Sequence, residues 1–288
     1  MFTSLNPGAL SFSVPVAQAL DLARTNGFDG LDLPLAELSQ RAAQTSVEDV
    51  KATFDRAGVR PGAWSLPVDF RADDETYRAG MADLPGYARL AQALGSPWCF
   101  TWILPFSDTL DHAANMTYHV TRLRPIAQIL AEHGCRLGLE FVGPATMRAD
   151  HRHAFIHTIG GALELGRRIG TGNTGLLLDC WHWYTSHATV ADIDHLSADQ
   201  VVYVHVNDAP LGRDVDKQID TQRLLPGASG VIDIVGFLQA LARIGYDGPI
   251  AVEPFNAAVK ALPPADRARV AGESLRVIWA QAGLRIGN

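Results

Sequence analysis

The chain has 288 residues, is 47% hydrophobic and carries a formal net charge of -7, with a mean hydropathy of +0.04. That length supports one large core, the acidic balance argues against a nucleic-acid backbone as partner, and no apolar run approaches the ~18 residues a membrane helix needs. Cys99, Cys135 and Cys180 are widely spaced and form no CxxC pair. They read as small buried hydrophobes of a reducing compartment, and with no basic-then-apolar leader before Phe2 the expected setting is cytoplasmic.

Eight strand-then-helix units follow in chain order. The first is Phe2-Thr3-Ser4-Leu5 and a helix over 14–26, closed by Gly27. The second is Gly30-Leu31-Asp32-Leu33-Pro34 and a helix over 47–57, with Gly58 at its C-terminal cap. The third is a strand over 59–66 and a helix from about 74 to 94, stopped by Gly95. The fourth is Trp98-Cys99-Phe100-Thr101-Trp102-Ile103 and a helix from about 111 to 133, stopped by Gly134. The fifth ends a strand in Glu140 and continues as a helix over 153–169, stopped by Gly170. The sixth holds Asp179 and a weak helix near 190–196. The seventh holds His205, a long polar loop and a helix over 232–244, stopped by Gly245. The eighth holds Glu253 and a helix over 265–282. Strict alternation implies a parallel sheet with helical cover. Eight units of roughly 35 residues match one closed (β/α)8 barrel, a single α/β domain over 1–288 with an outer ring of helices. An open doubly wound sheet fits less well. No GxGxxG follows the first strand, and polar residues stand at many strand ends rather than at one switch point.

Four of those strands share one device. Leu137-Gly138-Leu139 ends in Glu140, Leu176-Leu177-Leu178 in Asp179, Val201-Val202-Tyr203-Val204 in His205, and Ile250-Ala251-Val252 in Glu253. A carboxylate at the end of an apolar strand costs several kcal/mol unless it is paired or bound to a cation. Alternation of side chains puts Gly138 on the face of Glu140 and Ala251 on the face of Glu253, so the residue beneath each glutamate is small. The four heads come from what should be adjacent strands. Three oxygen donors and one imidazole suit a single divalent ion, Mn²⁺ first, with Mg²⁺, Co²⁺ or Zn²⁺ as options.

Gly138-Leu139-Glu140-Phe141-Val142-Gly143 and Leu178-Asp179-Cys180-Trp181-His182-Trp183 resemble the xylose-isomerase-like sugar isomerases and epimerases, a TIM-barrel family, and most of all its inosose (2-keto-myo-inositol) isomerase branch. His205-Val206-Asn207-Asp208, Arg223-Leu224-Leu225-Pro226-Gly227 and Gly230-Val231-Ile232-Asp233 extend the likeness. The resemblance implies Glu140, Asp179, His205 and Glu253 as metal ligands. It also implies a substrate-contacting His182 and an Arg223 that approaches the substrate or closes the site. The ketose 3-epimerase branch carries a second glutamate six residues after the first metal glutamate; that position is Thr146 here.

The expected activity is isomerisation or epimerisation of a keto sugar or keto-inositol through a metal-stabilised enediolate, with Glu140 and Glu253 moving the proton. Loss of a β-hydroxyl from the same intermediate would make the enzyme a lyase or dehydratase. An endonuclease-IV-like nuclease lacks its further histidines and its basic face, and a non-catalytic sugar binder would have no need of two bases. Trp102 and Trp181, among the tryptophans near strand ends (Trp64, Trp98, Trp183), are candidate walls for a sugar's C–H face. Asp208 is a candidate partner behind His205. His151, His153 and His157 read as surface residues. A small-molecule sugar or cyclitol is the expected partner, with a homo-oligomer allowed by the family.

Overall fold

The computed structural model describes residues 1–284. Eight parallel strands carry the main sheet: β1 Phe2–Leu5, β2 Gly30–Leu31, β3 in two pieces (Arg60–Pro61 and Trp64–Ser65), β4 Trp98–Ile103, β5 Arg136–Phe141, β6 Thr174–Asp179, β7 Val201–Val206 and β8 Pro249–Val252. Strand neighbours in sequence are neighbours in the sheet, and β8 pairs with β1. The first piece of β3 pairs with β2 and the second with β4, so the two ends of the sheet belong to one stretch of chain and the ring closes through it. Gly62 N–H donates to the Leu31 carbonyl at 2.7 Å, and Leu66 N–H to the Phe100 carbonyl at 2.8 Å, extending the ladder on both sides. This is the (β/α)8 barrel that the alternation predicts.

Both faces of β5 to β8 are almost wholly buried, which is why these strands read as apolar runs rather than alternating ones. The outward side chains join the helices in one large core. Inside the ring, Ala63, Leu177, Tyr203 and Ala251 form a small separate cluster with Trp98 and Phe100 against it. β7 shifts register against β6 between Val201 and Tyr203. Val202 there lies against Gly138 and Gly175, where an added Cβ would stand 3.2 and 3.0 Å from it. Those glycines thus leave room for a neighbouring side chain beneath Glu140 and Asp179.

The helices follow the expected order with corrections. Ser46 caps Val47–Ala57 by accepting from Asp49 N–H, and Gly58 ends it at φ 64°, a conformation open to glycine at little steric cost. Ahead of it the second unit carries another helix, Leu35–Gln44. Only Leu35 and Leu38 of that segment are buried, too short an apolar stripe to stand out in the sequence. The helix expected over 153–169 starts only at Ile159, where the Thr158 hydroxyl accepts from Gly161 N–H. His153–Ala154 pairs instead with Phe106–Ser107 as a small antiparallel ribbon. The sixth unit holds two short helices, Cys180–Thr185 and Val190–Asp194. The first begins directly on β6, because Asp179 Oδ1 accepts from Trp181 N–H at 2.7 Å. No helix among the described residues is long and apolar enough to cross a membrane.

Candidate metal centre

Glu140, Asp179 and His205 stand near the C-terminal ends of β5, β6 and β7, and Glu253 follows the last residue of β8. One ligand atom from each lies within 4.8 Å of the others. The register explains the meeting: His205 is level with Asp179 on one side and with Ala251 on the other, two positions before Glu253. His205 Nδ1 is 3.5 Å from Glu253 Oε2 and 3.7 Å from Glu140 Oε1. Both distances exceed a normal hydrogen bond. Glu140 Oε1 and both ring nitrogens of His205 are buried without a hydrogen-bond partner. Unsatisfied buried polar groups are costly, and four converging donors of hard and borderline type form the arrangement a divalent cation would satisfy. The residues therefore fit the expected metal.

Burial raises the Glu140 carboxyl well above the usual carboxylate range, helped by the charges of Glu253 and Asp179 and opposed by His205. Burial would raise Glu253 too, but His205 and Arg223 hold it low. Burial disfavours the imidazolium of His205, yet the two glutamates outweigh that and raise it well above its ordinary value. A cation with this donor set would displace that proton.

Arg223 is 1% exposed and neutralises the far side of the cluster. Its Nη1 donates to Asp179 Oδ2 at 2.7 Å and to Glu253 Oε2 at 2.9 Å, and its Nη2 to Asp220 Oδ1 at 2.8 Å. Asn207 Nδ2 donates to Asp179 Oδ1 at 2.9 Å. Asp179 is thus held from both sides. Gly143 N–H donates to His182 Nδ1 at 3.2 Å, which puts the ring proton on Nε2. The 3.3 Å approach of Nε2 to Arg223 Nη2 is then packing of two donors, while Glu140 Oε1 lies 3.9 Å away. Burial lowers His182, consistent with a neutral ring. Trp181 is fully buried, with the Arg223 guanidinium 5.4 Å from its ring. Phe255 covers that guanidinium at 4.4 Å with its backbone at φ 34°, a strained value for a bulky residue.

A cavity of about 260 Å³ opens beside Glu140, His205 and Glu253, walled by Ser65, Thr101, Trp102 and Arg71 among others. Of the four expected substrate contacts, Trp102 lines it and is 42% exposed. His182, Arg223 and Trp181 stand enclosed behind those four residues. A second lobe of about 310 Å³ shares Ser65 and Phe100 with the first and is lined by Asn6, Asp32 and Trp64. Asp32 and Arg71 are residues that sequence reasoning missed. Asp32 carried the same signal as Asp179, a carboxylate after an apolar strand. Its Oδ1 accepts from Ser4 Oγ at 2.6 Å and Ala63 N–H at 3.1 Å, its Oδ2 from Tyr203 Oη at 2.5 Å, and burial raises it to about 6. Gly62 packs so closely on Ser4 and Asp32 that a Cβ there would collide with both.

The remaining candidates have other partners. Asp208 accepts from the backbone N–H groups of Ser229, Gly230 and Ile232, so it ties down the loop after β7 instead of backing His205. Thr146 donates to the Gln218 carbonyl at 2.7 Å. Trp64 and Trp183 are buried, and Trp98 packs edge-on against Phe2. His151 pairs with Asp108 at 2.9 Å on the surface.

The chain is 25% identical over 82% of its length to an inosose isomerase of Halalkalibacterium halodurans, covering 82% of that protein. It is 32% identical over 49% of its length to a 3-dehydroshikimate dehydratase of Pseudomonas aeruginosa, of which the match spans 21%. Among solved structures, a xylose isomerase domain protein from Alicyclobacillus acidocaldarius superposes with a TM-score of 0.86 at 31% identity, covering 98% of this chain and 99% of that one. An IOLI protein with a bound zinc atom superposes at 0.79 and 20% identity, covering 98% and 99%. The family model described as a xylose isomerase-like TIM barrel matches residues 20–280. With eight closed strands and four converging side chains at consecutive strand ends already in place, that match settles the lineage: the chain belongs to the xylose isomerase-like TIM barrel family.

Proposed function

We propose that the protein is a divalent-metal-dependent isomerase or epimerase of a keto sugar or keto-inositol, with Glu140 and Glu253 as the proton-transfer groups. The observation that carries this is the convergence of Glu140, Asp179, His205 and Glu253 beside a cavity walled by an exposed tryptophan. Those four residues would hold the metal, and Mn²⁺ suits three carboxylates and an imidazole best. When bound, a dication would polarise the substrate carbonyl and hold the negative charge that develops on its oxygen.

The chain's own residues do the rest. Glu140 and Glu253 reach the cavity from β5 and β8, on the two flanks of the cluster. One takes the proton from the carbon next to the carbonyl, and the same or the opposite one returns it. Return to the neighbouring carbon isomerises; return to the other face epimerises. Arg223 donates to Asp179 and Glu253 and helps hold Glu253 ionised, and neutral His182 presents its Nε2–H toward Glu140. Trp102 offers a ring to the C–H face of a sugar or cyclitol. The three buried free thiols support a cytoplasmic setting.

A second reading is a dehydratase, favoured by the local likeness to the Pseudomonas enzyme. It shares the first proton transfer and differs in losing a β-hydroxyl. Mixing the Mn²⁺-loaded protein with an inosose in D₂O tests the common step. Exchange of the hydrogen next to the carbonyl is expected by NMR, lost on chelation and in Glu140→Gln. Absence of exchange across a panel of inososes, ketoses and keto-glycosides would overturn the reading, and ultraviolet absorbance of an unsaturated product would select the dehydratase.

A further inference from the structure

We propose that Asp32 is a positioning residue of the metal centre: acting through Tyr203, it fixes the ring of His205 toward the cation. This rests on the metal-dependent reading above and goes beyond it by naming what orients the imidazole. Asp179 is held by Trp181 N–H, Asn207 and Arg223, and Glu253 by Arg223. His205 has no such support. It is 2% exposed, yet neither ring nitrogen has a hydrogen-bond partner among the described residues. A histidine that binds a metal ordinarily donates its other ring N–H to a carboxylate or a carbonyl, and that bond sets the ring's orientation. Here packing has to set it instead.

That packing is aromatic. Tyr203 and His205 alternate along β7 and share its inward face, with ring centres 4.8 Å apart and planes at 74°. Phe100 also meets His205 edge-on, at 6.0 Å and 76°, and its ring centre lies 4.8 Å from that of Tyr203. In a close-packed interior an imidazole turning about its Cβ–Cγ bond would drive into these rings. Tyr203 can act as a fixed surface only if it is itself pinned, and it is pinned at both ends. Its Cβ belongs to β7. Its hydroxyl, on a fully buried side chain, donates to Asp32 Oδ2 at 2.5 Å and accepts from Asn6 Nδ2 at 3.3 Å. Asp32 directly follows β2, so this bond ties two separate strands together through the barrel interior. Asp32 has no slack of its own. Ser4 Oγ and Ala63 N–H donate to its Oδ1 at 2.6 and 3.1 Å, and a Cβ on Gly62 would stand 2.5 Å from the same oxygen. Fixation thus passes from Asp32 to the phenol, from the phenol to the plane of its ring, and from that ring to the imidazole.

The test uses the full chain and Co²⁺, whose visible absorption reports the geometry of its donors, with affinity read by calorimetry. The wild type should bind Co²⁺, and His205→Ala should bind it far more weakly. Tyr203→Phe keeps the ring and cuts its tie to Asp32; Asp32→Ala cuts the same tie from the other end. Each should shift the Co²⁺ spectrum and weaken binding about tenfold, the low end for a partner behind a metal-binding side chain. Because both remove one link, the double variant should bind about as well as either single one. Asp32→Asn keeps an acceptor oxygen and should recover part of the loss. Near-ultraviolet circular dichroism of the metal-free variants confirms folding, and if either cut unfolds the chain, the other and Asp32→Asn carry the same spectral comparison. An unchanged spectrum and affinity in folded Tyr203→Phe would overturn the proposal. So would weaker binding with an unshifted spectrum, the mark of a general loss of stability, or additive losses in the double variant. If the wild type takes up no Co²⁺, or His205→Ala binds it equally well, the metal-centre reading itself falls, and the role of Asp32 with it.

Discussion

The rim of this barrel has two unlike halves. Over β5 to β8 the ladders are long: β5, β6 and β7 each run six residues. Glu140, Asp179, His205 and Glu253 there each face another charge, with Arg223 alone tying Asp179, Asp220 and Glu253. Over β1 to β3 the ladders shrink to short pieces, two residues each in β2 and in both parts of β3. The polar heads in this region rest on neutral partners: Asp32 on Ser4 and Tyr203, and Arg71, in the loop after β3, on Trp102. The first half is held by mutual electrostatics and a fixed register. The second is held by packing and by hydrogen bonds to uncharged groups.

The contrast can be broken most sharply at Arg223. Arg223→Met would leave Asp179 and Glu253 buried without their counter-charge, and the metal-free protein should lose about 3–5 kcal/mol in urea unfolding. Added Mn²⁺ should restore part of that. A loss below about 1 kcal/mol would show that the cluster is not electrostatically held.

Glu140→Gln separates binding from stability. Mn²⁺ affinity by calorimetry should fall at least about a hundredfold, since a direct ligand matters more than the partners behind it. Yet the melting temperature with chelator present should not drop, because a repelled buried carboxylate is removed. In the wild type, affinity should fall as pH is lowered, with protons released on binding, because cation and proton compete for His205 and Glu140. A pH-independent affinity would contradict the raised positions of both groups.

On the wall side the expected effects are smaller. Asp32 is raised to about 6 in the folded protein, above its value of about 4 when unfolded. Between those values the folded state holds the extra proton, so its contribution to stability falls as pH rises through that window and stays lost above about pH 6. The wild type should thus lose up to about 3 kcal/mol relative to Asp32→Asn between pH 4 and pH 7, read as the difference between two stability profiles. Parallel profiles would mean that Asp32 is not held as described.

Trp102→Ala should change stability by less than about 1 kcal/mol, since the ring is half exposed. Mn²⁺ affinity should stay within about twofold while KM rises. A matching loss of metal affinity would erase the division between the two halves.

The amino-acid sequence by itself determined the eightfold alternation and the four carboxylate and imidazole side chains at the strand ends. Both are local patterns: an apolar run buried on two faces, a glycine at a helix end, a carboxylate or imidazole where the run stops. It did not disclose the helix Leu35–Gln44 or the true start of Ile159–Ile169, because a short apolar stripe and a two-residue ribbon carry little periodicity. Only the tertiary structure decided that Trp181 sits behind Arg223, that Asp208 serves a loop, and that Asp32 and Arg71 reach the cavity. Those outcomes depend on barrel closure, which brings together residues far apart along the chain. No local pattern encodes which of many polar side chains will face a given point once the ring has closed.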